Sequence, residues 1–465
     1  MNTLPLNILL LLVFAHLSCF LVLVPVSAKV FLSIDCGSSS LEPYTDGRSM
    51  VWVGDGPYIQ TGETHKVSIE PPNQFTWDSQ VMSTLRAFPT RKRNCYSIDI
   101  EDSTTAERVL VRANFYYGDY DNKSSPPTFN LQFNGNSWKQ VKTRMSSIVY
   151  EEVVFSLKKG NNINVCLAQT QPGNIPFISA LEVRSLDSVA YSYVPSDYPL
   201  IFNKRQSFTN TNIRFPEDSF DRIWSTSAPG PNSTNGLLTV TSDSPSIIID
   251  IDEKPPEVVL RTALTNVNSS GVLSSLGYNG FADNPLYPVQ LNAYFSEVIK
   301  LSPTQKRSFD IIVNGNKLDS VNMILPKGPV IPPYGRALEV RIANVTSFPV
   351  NSSFTIVSKP TNDSTLPPLI NALEEYIIGD KLVQGTNSND GNCLSLILRT
   401  FYLTTMQIED SNFMFIWSLV EALGLLQKSF IQLQDWSGDP CLPSPYTWEW
   451  IDCNNDTDSP RVTAL

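Results

Sequence analysis

Histidine is almost missing from this chain: among 465 residues there are only His16 and His65. His16 falls in an N-terminal apolar run, so His65 alone is left for imidazole chemistry in the rest of the chain. Also absent are a Gly-x-Ser-x-Gly elbow, a phosphate-cradling Gly loop and a His-Glu-x-x-His pair. Without them the usual routes of acyl transfer, phosphoryl transfer and zinc hydrolysis have no machinery. The adjacent acids Glu151-Glu152 and Glu374-Glu375 would point to opposite faces of a strand, so they make poor acid/base partners. Asp250 and Asp252 would share a face and offer hard oxygens to Ca²⁺, but acidic strand ends are common. No catalytic residue, cofactor or metal is therefore assigned. Basic charge is also short: 34 Lys and Arg face 45 Asp and Glu, a net −11. That excludes a nucleic-acid partner, which needs clustered cations. The one basic knot, Arg91-Lys92-Arg93, reads as a solvated loop. Past residue 28 no apolar run is long enough to span a membrane.

What is present points outward from the cell. Leu4 to Val24 is mostly apolar, Val26-Ser27-Ala28 suits a signal peptidase, and residues 1–28 read as a secretory signal. Seven Asn-x-Ser/Thr sequons follow, at Asn122, Asn232, Asn268, Asn344, Asn351, Asn362 and Asn455, which in a secreted chain are glycan acceptors. Six cysteines lie beyond the signal: Cys36, Cys95, Cys166, Cys393, Cys441 and Cys453. An even number in an oxidising compartment suggests disulfides, with fifteen ways to pair them. Cys441 and Cys453 share a short C-terminal segment and are paired on that ground. Cys36–Cys95 with Cys166–Cys393 is one of three arrangements left open for the others.

The chain also repeats itself. Ala113, Phe115, Phe129, Leu131 and Asn134-Gly135-Asn136 return 180 positions later as Ala293, Phe295, Phe309, Ile311 and Asn314-Gly315-Asn316. Pro176, Ile178, Ala180, Leu181 and Glu182 return at an offset of 192 as Pro368, Ile370, Ala372, Leu373 and Glu374. One module has been duplicated. Within it, Val109, Val111, Ala113, Phe115 and Tyr117 alternate with Arg112, Asn114 and Tyr116, the period of a half-buried strand. Phe129, Leu131 and Phe133 alternate up to Asn134-Gly135, a hairpin signal repeated at Asn314-Gly315. Val153–Phe155, Ile163–Val165, Ile247–Ile249 and Leu338–Ile342 are further strand candidates. Many short strands between Gly, Pro and Asn turns indicate a mainly β protein of antiparallel sandwiches.

The expected layout is a first module over 29–190, a connection over 191–203, a second module over 204–380 and a connecting segment over 381–434. Phe413, Ile416, Trp417, Val420 and Leu423 have helical spacing after Ser411 or Asn412 as N-cap. Residues 435–465 would form a small cap closed by Cys441–Cys453, with Arg461 to Leu465 as the start of a repeat.

Taken in order, Ser33-Ile-Asp-Cys-Gly37, Tyr44-Thr-Asp46, Arg93-Asn-Cys-Tyr96, Val111 to Asp121, Pro176 to Glu182, Asp221-Arg-Ile-Trp224, Leu366 to Glu374 and Trp436-Ser-Gly-Asp-Pro-Cys441 form a recognisable series. The chain resembles the ectodomain of plant malectin-like, leucine-rich-repeat receptor-like kinases. The resemblance implies two tandem malectin-like β-sandwiches, a short helix and a leucine-rich-repeat N-terminal cap. It implies a non-enzymatic, extracellular recognition role, membrane-associated if the chain belongs to a longer receptor or if the N-terminal segment stays uncleaved. The partner expected is a cell-surface receptor, a co-receptor or a secreted peptide, held in the cleft between the copies. The alternative is a cell-wall oligosaccharide of di-glucose type, stacked on aromatic rings. The candidate residues for that are Tyr44, Asp46, Trp52, Tyr116, Tyr117, Asp119 and Tyr120, although Tyr117 continues the apolar face of its strand.

Overall fold

A computed structural model of the protein describes residues 30–40, 42–72, 79–100, 108–157, 162–229, 236–278, 288–313, 316–317, 323–325, 328–345, 353–387, 419–430, 433 and 436–464. The fold is mainly β. The strands that build the two copies and their join are β1 (Phe31–Asp35), β2 (Arg93–Ile98), β3 (Arg108–Phe115), β4 (Thr128–Phe133), β5 (Asn136–Lys142), β6 (Val149–Ser156) and β7 (Ile163–Gln169). They continue as β8 (Ala180–Ser185), β9 (Leu200–Ser207), β10 (Val289–Phe295), β11 (Phe309–Val313), β12 (Leu338–Val345), β13 (Ser353–Pro360) and β14 (Ala372–Ile378).

The repeat is carried down to strand register. In the first copy β8 pairs with β3 so that Leu181 faces Ala113 and Glu182 faces Arg112. In the second, β14 pairs with β10 so that Leu373 faces Ala293 and Glu374 faces Asn292. Each copy then lays a second sheet over this layer, in the order β2-β7-β4-β5 in the first and with β13 beside β11 in the second. The repeated phenylalanines join the two layers. Phe115 meets Phe129 and Phe295 meets Phe309, both with ring centroids 5.5 Å apart. These positions recur because the interior of each copy is filled from both layers by the same shapes.

The two copies are fused by main-chain pairing. One 12-stranded sheet contains the run β1-β8-β3-β6-β9-β14-β10-β12. Its join is β6 with β9, where Val153 faces Ile201 and Val154 faces Leu200. The stretch expected as a connection, 191–203, is thus packed and not free: Leu200 to Asn203 enter the sheet, and Tyr191 is fully buried.

Several expectations change at this level. β3 is not half-buried; all eight of its residues are buried. Its second face is covered by Leu186, Ala190, Tyr191, Val194 and Phe220, and by a layer of charged side chains. Ile247–Ile249 is not a strand but a single bridge from Ile248 to Arg336. The Asn134-Gly135 turn forms as expected, with φ of +43° and +76°, the left-handed pair that a two-residue hairpin demands. Its counterpart Asn314-Gly315 lies outside the described residues.

Cysteine pairing also differs. Cys95 bonds Cys166 directly across β2 and β7, and Cys441 bonds Cys453. Cys36 is a free, buried thiol, so the Cys36–Cys95 arrangement is corrected. Cys36 and Tyr96 belong to the core between the layers. Cys95, next to Tyr96 on its strand, points out through the opposite face, away from Cys36. Cys393 lies outside the described residues.

That outer face is where the C-terminal segment docks. Arg93 donates from Nε to the Ser437 carbonyl at 2.5 Å and from Nη1 to the Leu442 carbonyl at 2.7 Å, and its Nη2 reaches the Asp439 carbonyl. Gly438 lies on the disulfide: a Cβ there would come within 2.7 Å of Cys95 Sγ, and its φ is +81°. Asp439 ties the turn by accepting the amides of Cys441 at 3.0 Å and Leu442 at 2.9 Å. Arg91-Lys92-Arg93 is therefore a docking element and not a solvated loop, with Arg93 buried and Lys92 paired to Glu449. The segment has its own cluster, in which Trp436, Leu442 and Trp448 pack on Leu423 of helix α1 (Leu419–Ser429). Of the expected helix, Ser411, Asn412, Phe413, Ile416 and Trp417 lie outside the described residues.

Candidate recognition cleft and the charges behind it

Behind the join of the two copies lies a buried charge network. Five arginines (Arg112, Arg184, Arg205, Arg214, Arg222) and five carboxylates (Glu152, Glu182, Asp218, Asp221, Glu374) are each at most 1% exposed. Arg112 donates to Glu152 at 3.0 Å and Glu182 at 2.8 Å. Arg184 and Arg214 hold Asp221 at 2.9 and 2.8 Å, and Arg222 holds Asp218 at 2.9 Å. Arg205 spans the copies, reaching Glu152 of the first at 2.8 Å and Glu374 of the second at 2.6 Å. Tyr191 and Tyr294 donate to Glu374 as well, at 2.8 and 2.6 Å. Ionised groups this deep persist only when each is paired and hydrogen-bonded. Burial would raise the Asp221 carboxyl, but Arg214, Arg184 and Arg112 outweigh it and hold Asp221 well below the usual carboxylate range. The same balance, burial against Arg205 and its neighbours, lowers Glu152 and Glu374.

Alternation along β3 shows Arg112 and Asn114 as one polar face, and period cannot tell water from a buried counter-charge. The usable signals are Asp221-Arg-Ile-Trp224 and the two registered glutamates, Glu182 and Glu374. Glu151 and Glu152 do part as expected: Glu152 enters the network while Glu151 pairs with Lys139 at 2.8 Å on the other side.

The residues expected to hold a sugar are mostly core. Trp52, Tyr116 and Tyr117 are at most 1% exposed and Tyr120 is 8% exposed. Trp52 Nε1 donates to Asp46 at 2.9 Å, and Tyr44 donates to Asp35 at 2.7 Å. Tyr116 donates to the Glu70 carbonyl at 2.9 Å, and Tyr117 donates to Asp121. Tyr120 packs on Phe177, and Asp119 closes a turn on the Ser124 amide at 2.7 Å. At Tyr116 no ring face is exposed, because Met50, Val81 and Met82 cover the sheet face from which it projects. The acidic run from Asp250 to Glu253 is paired too. Asp250 meets Arg336, while Asp252, Glu253 and Glu339 converge on Arg341 Nη2 at 2.9, 2.8 and 2.9 Å. Among the sequons, Asn122, Asn268, Asn362 and Asn455 are exposed. Asn232 and Asn351 lie outside the described residues, as does the side chain of Asn344.

Among the described residues an open cleft of about 550 Å³ lies where the copies meet, within the size of ligand pockets. One wall is β4 and β5, from Asn130 to Lys142, with Arg144 beyond. The facing wall is Tyr150 and Glu151 of β6 with Ile201, Gly379 and Asp380 of the second copy, and Tyr446 closes one end. A second hollow of about 1160 Å³ shares Ser137 and Asp380 with it and runs along the C-terminal segment to Asn454. Among the described residues, two buried polar groups on the first wall lack partners: both amide atoms of Gln132 and the indole Nε1 of Trp138.

The malectin-like domain family model matches residues 34–378. A probable LRR receptor-like serine/threonine-protein kinase of Arabidopsis thaliana is 31% identical over 442 residues, covering 94% of this chain and 45% of that protein. The chain thus spans less than half the length of that kinase. An uncharacterised Arabidopsis thaliana protein is 33% identical over 381 residues, covering 81% of this chain and 70% of its own. Among solved structures, the ANXUR1 extracellular domain from Arabidopsis thaliana superposes with a TM-score of 0.61 at 16% identity, covering 76% of this chain and 97% of that one. The plant receptor-like kinase FER, in a complex of the plant peptide RALF23 with FER and LLG2, gives 0.58 at 16% identity, covering 75% of this chain and 95% of that one.

Proposed function

Because this chain belongs to the malectin-like domain family, we propose that it is an extracellular recognition module that binds a peptide or protein partner in the cleft between its two copies. On this reading residues 29–190 and 204–380 are tandem malectin-like sandwiches. Helix α1 and residues 435–465 are the connector and cap of a leucine-rich-repeat array. The role is non-catalytic on this reading, in keeping with the malectin-like ectodomain fold. A cell-surface location accords with the receptor-like kinase relatives, and a peptide-bound complex among the structural neighbours favours a peptide over a sugar.

The observation that carries the reading is the cleft itself, lined mostly by the first copy and bounded by Ile201 of the join and Gly379 and Asp380 of the second. The continuous sheet and Arg205 behind it keep those walls in one relation, so the site is preorganised and little ordering cost falls on binding. The test is selection of a random peptide library on the glycosylated protein. Enriched peptides should fail on a Ser137→Trp/Gln140→Trp variant that fills the cleft while melting at the wild-type temperature. Peptides that bind both forms equally, or no enrichment at all, would overturn the assignment.

A further inference from the structure

We propose that β5 is a docking edge on which an extended, acidic peptide segment adds as a further strand; this rests on the cleft being the recognition site. β5 is the last strand of the order β2-β7-β4-β5. It pairs with β4 on one side, and among the described residues no strand is hydrogen-bonded to its other edge, although β6 approaches through the Lys139–Glu151 pair. Ser137, Trp138, Lys139 and Gln140 line the cleft without a gap. Successive residues of a strand point to opposite faces. As the terminal strand of its sheet among the described residues, β5 keeps its outward backbone groups without ladder partners beside the cleft. Such an edge is a template for an incoming chain.

The side chains at the edge select the sign of the guest. Lys142 and Arg144 line the cleft, are exposed, and make no ion pair among the described residues. Lys139 is already neutralised by Glu151 at 2.8 Å. Asp380 stands on the far wall, so a guest's carboxylates belong on the β5 side. Gln132 and Trp138 add a second, independent observation. Each is 2% exposed, lines the cleft and holds unpartnered polar atoms, a state that costs stability unless a guest supplies the bonds. A second copy of this chain is a poor occupant, because edge-to-edge pairing would set Lys142 and Arg144 against themselves.

The test uses calorimetry on the glycosylated protein with three synthetic peptides. One alternates Glu and Val, one is the same peptide N-methylated at every second amide, and one alternates Lys and Val. The acidic peptide should bind, and N-methylation should weaken it about tenfold or more as strand hydrogen bonds are lost. The Lys peptide should bind at least about tenfold more weakly, and the surface variant Lys142→Glu/Arg144→Glu should invert that preference. Equal affinity for the first two peptides would overturn strand addition. So would library-selected peptides that need an open cleft yet carry no acidic excess and tolerate N-methylation, and in that case the cleft reading survives. If no selected peptide depends on Ser137 and Gln140, both readings fall together.

Discussion

The two copies share a frame and differ in what they do with charge. At the same register point β3 carries Arg112 opposite Glu182, while β10 carries Asn292 opposite Glu374. The first copy sets an arginine on the paired strand itself, and Arg184 and Arg214 join it on Glu182. The second borrows Arg205 from β9, together with the hydroxyls of Tyr191 and Tyr294. A duplicated strand without its own arginine thus depends on the join, and the join is part of its core. Phe115 with Phe129 and Phe295 with Phe309 show no such divergence, since an apolar contact has no partner to exchange.

The largest expected effect comes from breaking the shared charge. Arg205→Met leaves Glu152 and Glu374 buried with one counter-ion fewer and should cost about 3–5 kcal/mol. Urea unfolding should show this loss, whereas Arg336→Met at the exposed Asp250 pair should leave the midpoint unchanged. Equal effects at the two sites would deny the network its role. Next, Phe129→Ala and Phe309→Ala should each cost about 3–5 kcal/mol, by lost burial and a residual cavity. If only one of them matters, the copies are not packed alike and the comparison fails. A smaller and local effect is expected at the docked segment. Gly438→Ala forces a Cβ onto the Cys95 sulfur at a positive φ, for about 1–3 kcal/mol of overpacking. Hydrogen exchange should rise across 436–453 with little change in β3.

The last comparison is by pH. Asp221, Glu152 and Glu374 are held below their ordinary range. Their contribution is present above the unfolded carboxylate values, near 4, and is lost as pH falls further. Glu339 is the opposite case: burial, and then the neighbouring Glu253, push its carboxyl well up. The folded state holds that proton where the unfolded chain releases it, so this contribution fades as pH rises above about 4.3, the ordinary Glu value. Urea midpoints should decline from weakly acidic toward neutral pH, and Glu339→Gln should flatten the decline. An unchanged slope in that variant would remove Glu339 as its source.

Legibility follows range. The strand faces Val109 to Phe115 and Phe129 to Phe133 are readable because period 2 is local, as is the Asn134-Gly135 turn. Cys441–Cys453 is readable because both cysteines share one short segment. Tyr116 and Arg112 read as facing water, yet both are buried, because what covers them comes from residues far along the chain. Cys95–Cys166 depends on which strands lie side by side, which spacing does not encode. Arg93 and the Ser437-Gly438-Asp439 turn stand out as separate motifs, yet their meeting across more than 340 residues leaves no mark in either.

The amino-acid sequence by itself determined the duplication, the β character and the apolar face of each repeated strand, since these rest on local periodicity and self-similarity. Only the tertiary structure decided that two copies become one sheet, and that five arginines and five carboxylates can be buried at the seam. It also decided that β5 is left as an edge beside the cleft. Pairing, counter-charge and exposure are properties of neighbours, and the neighbours here are distant in the chain.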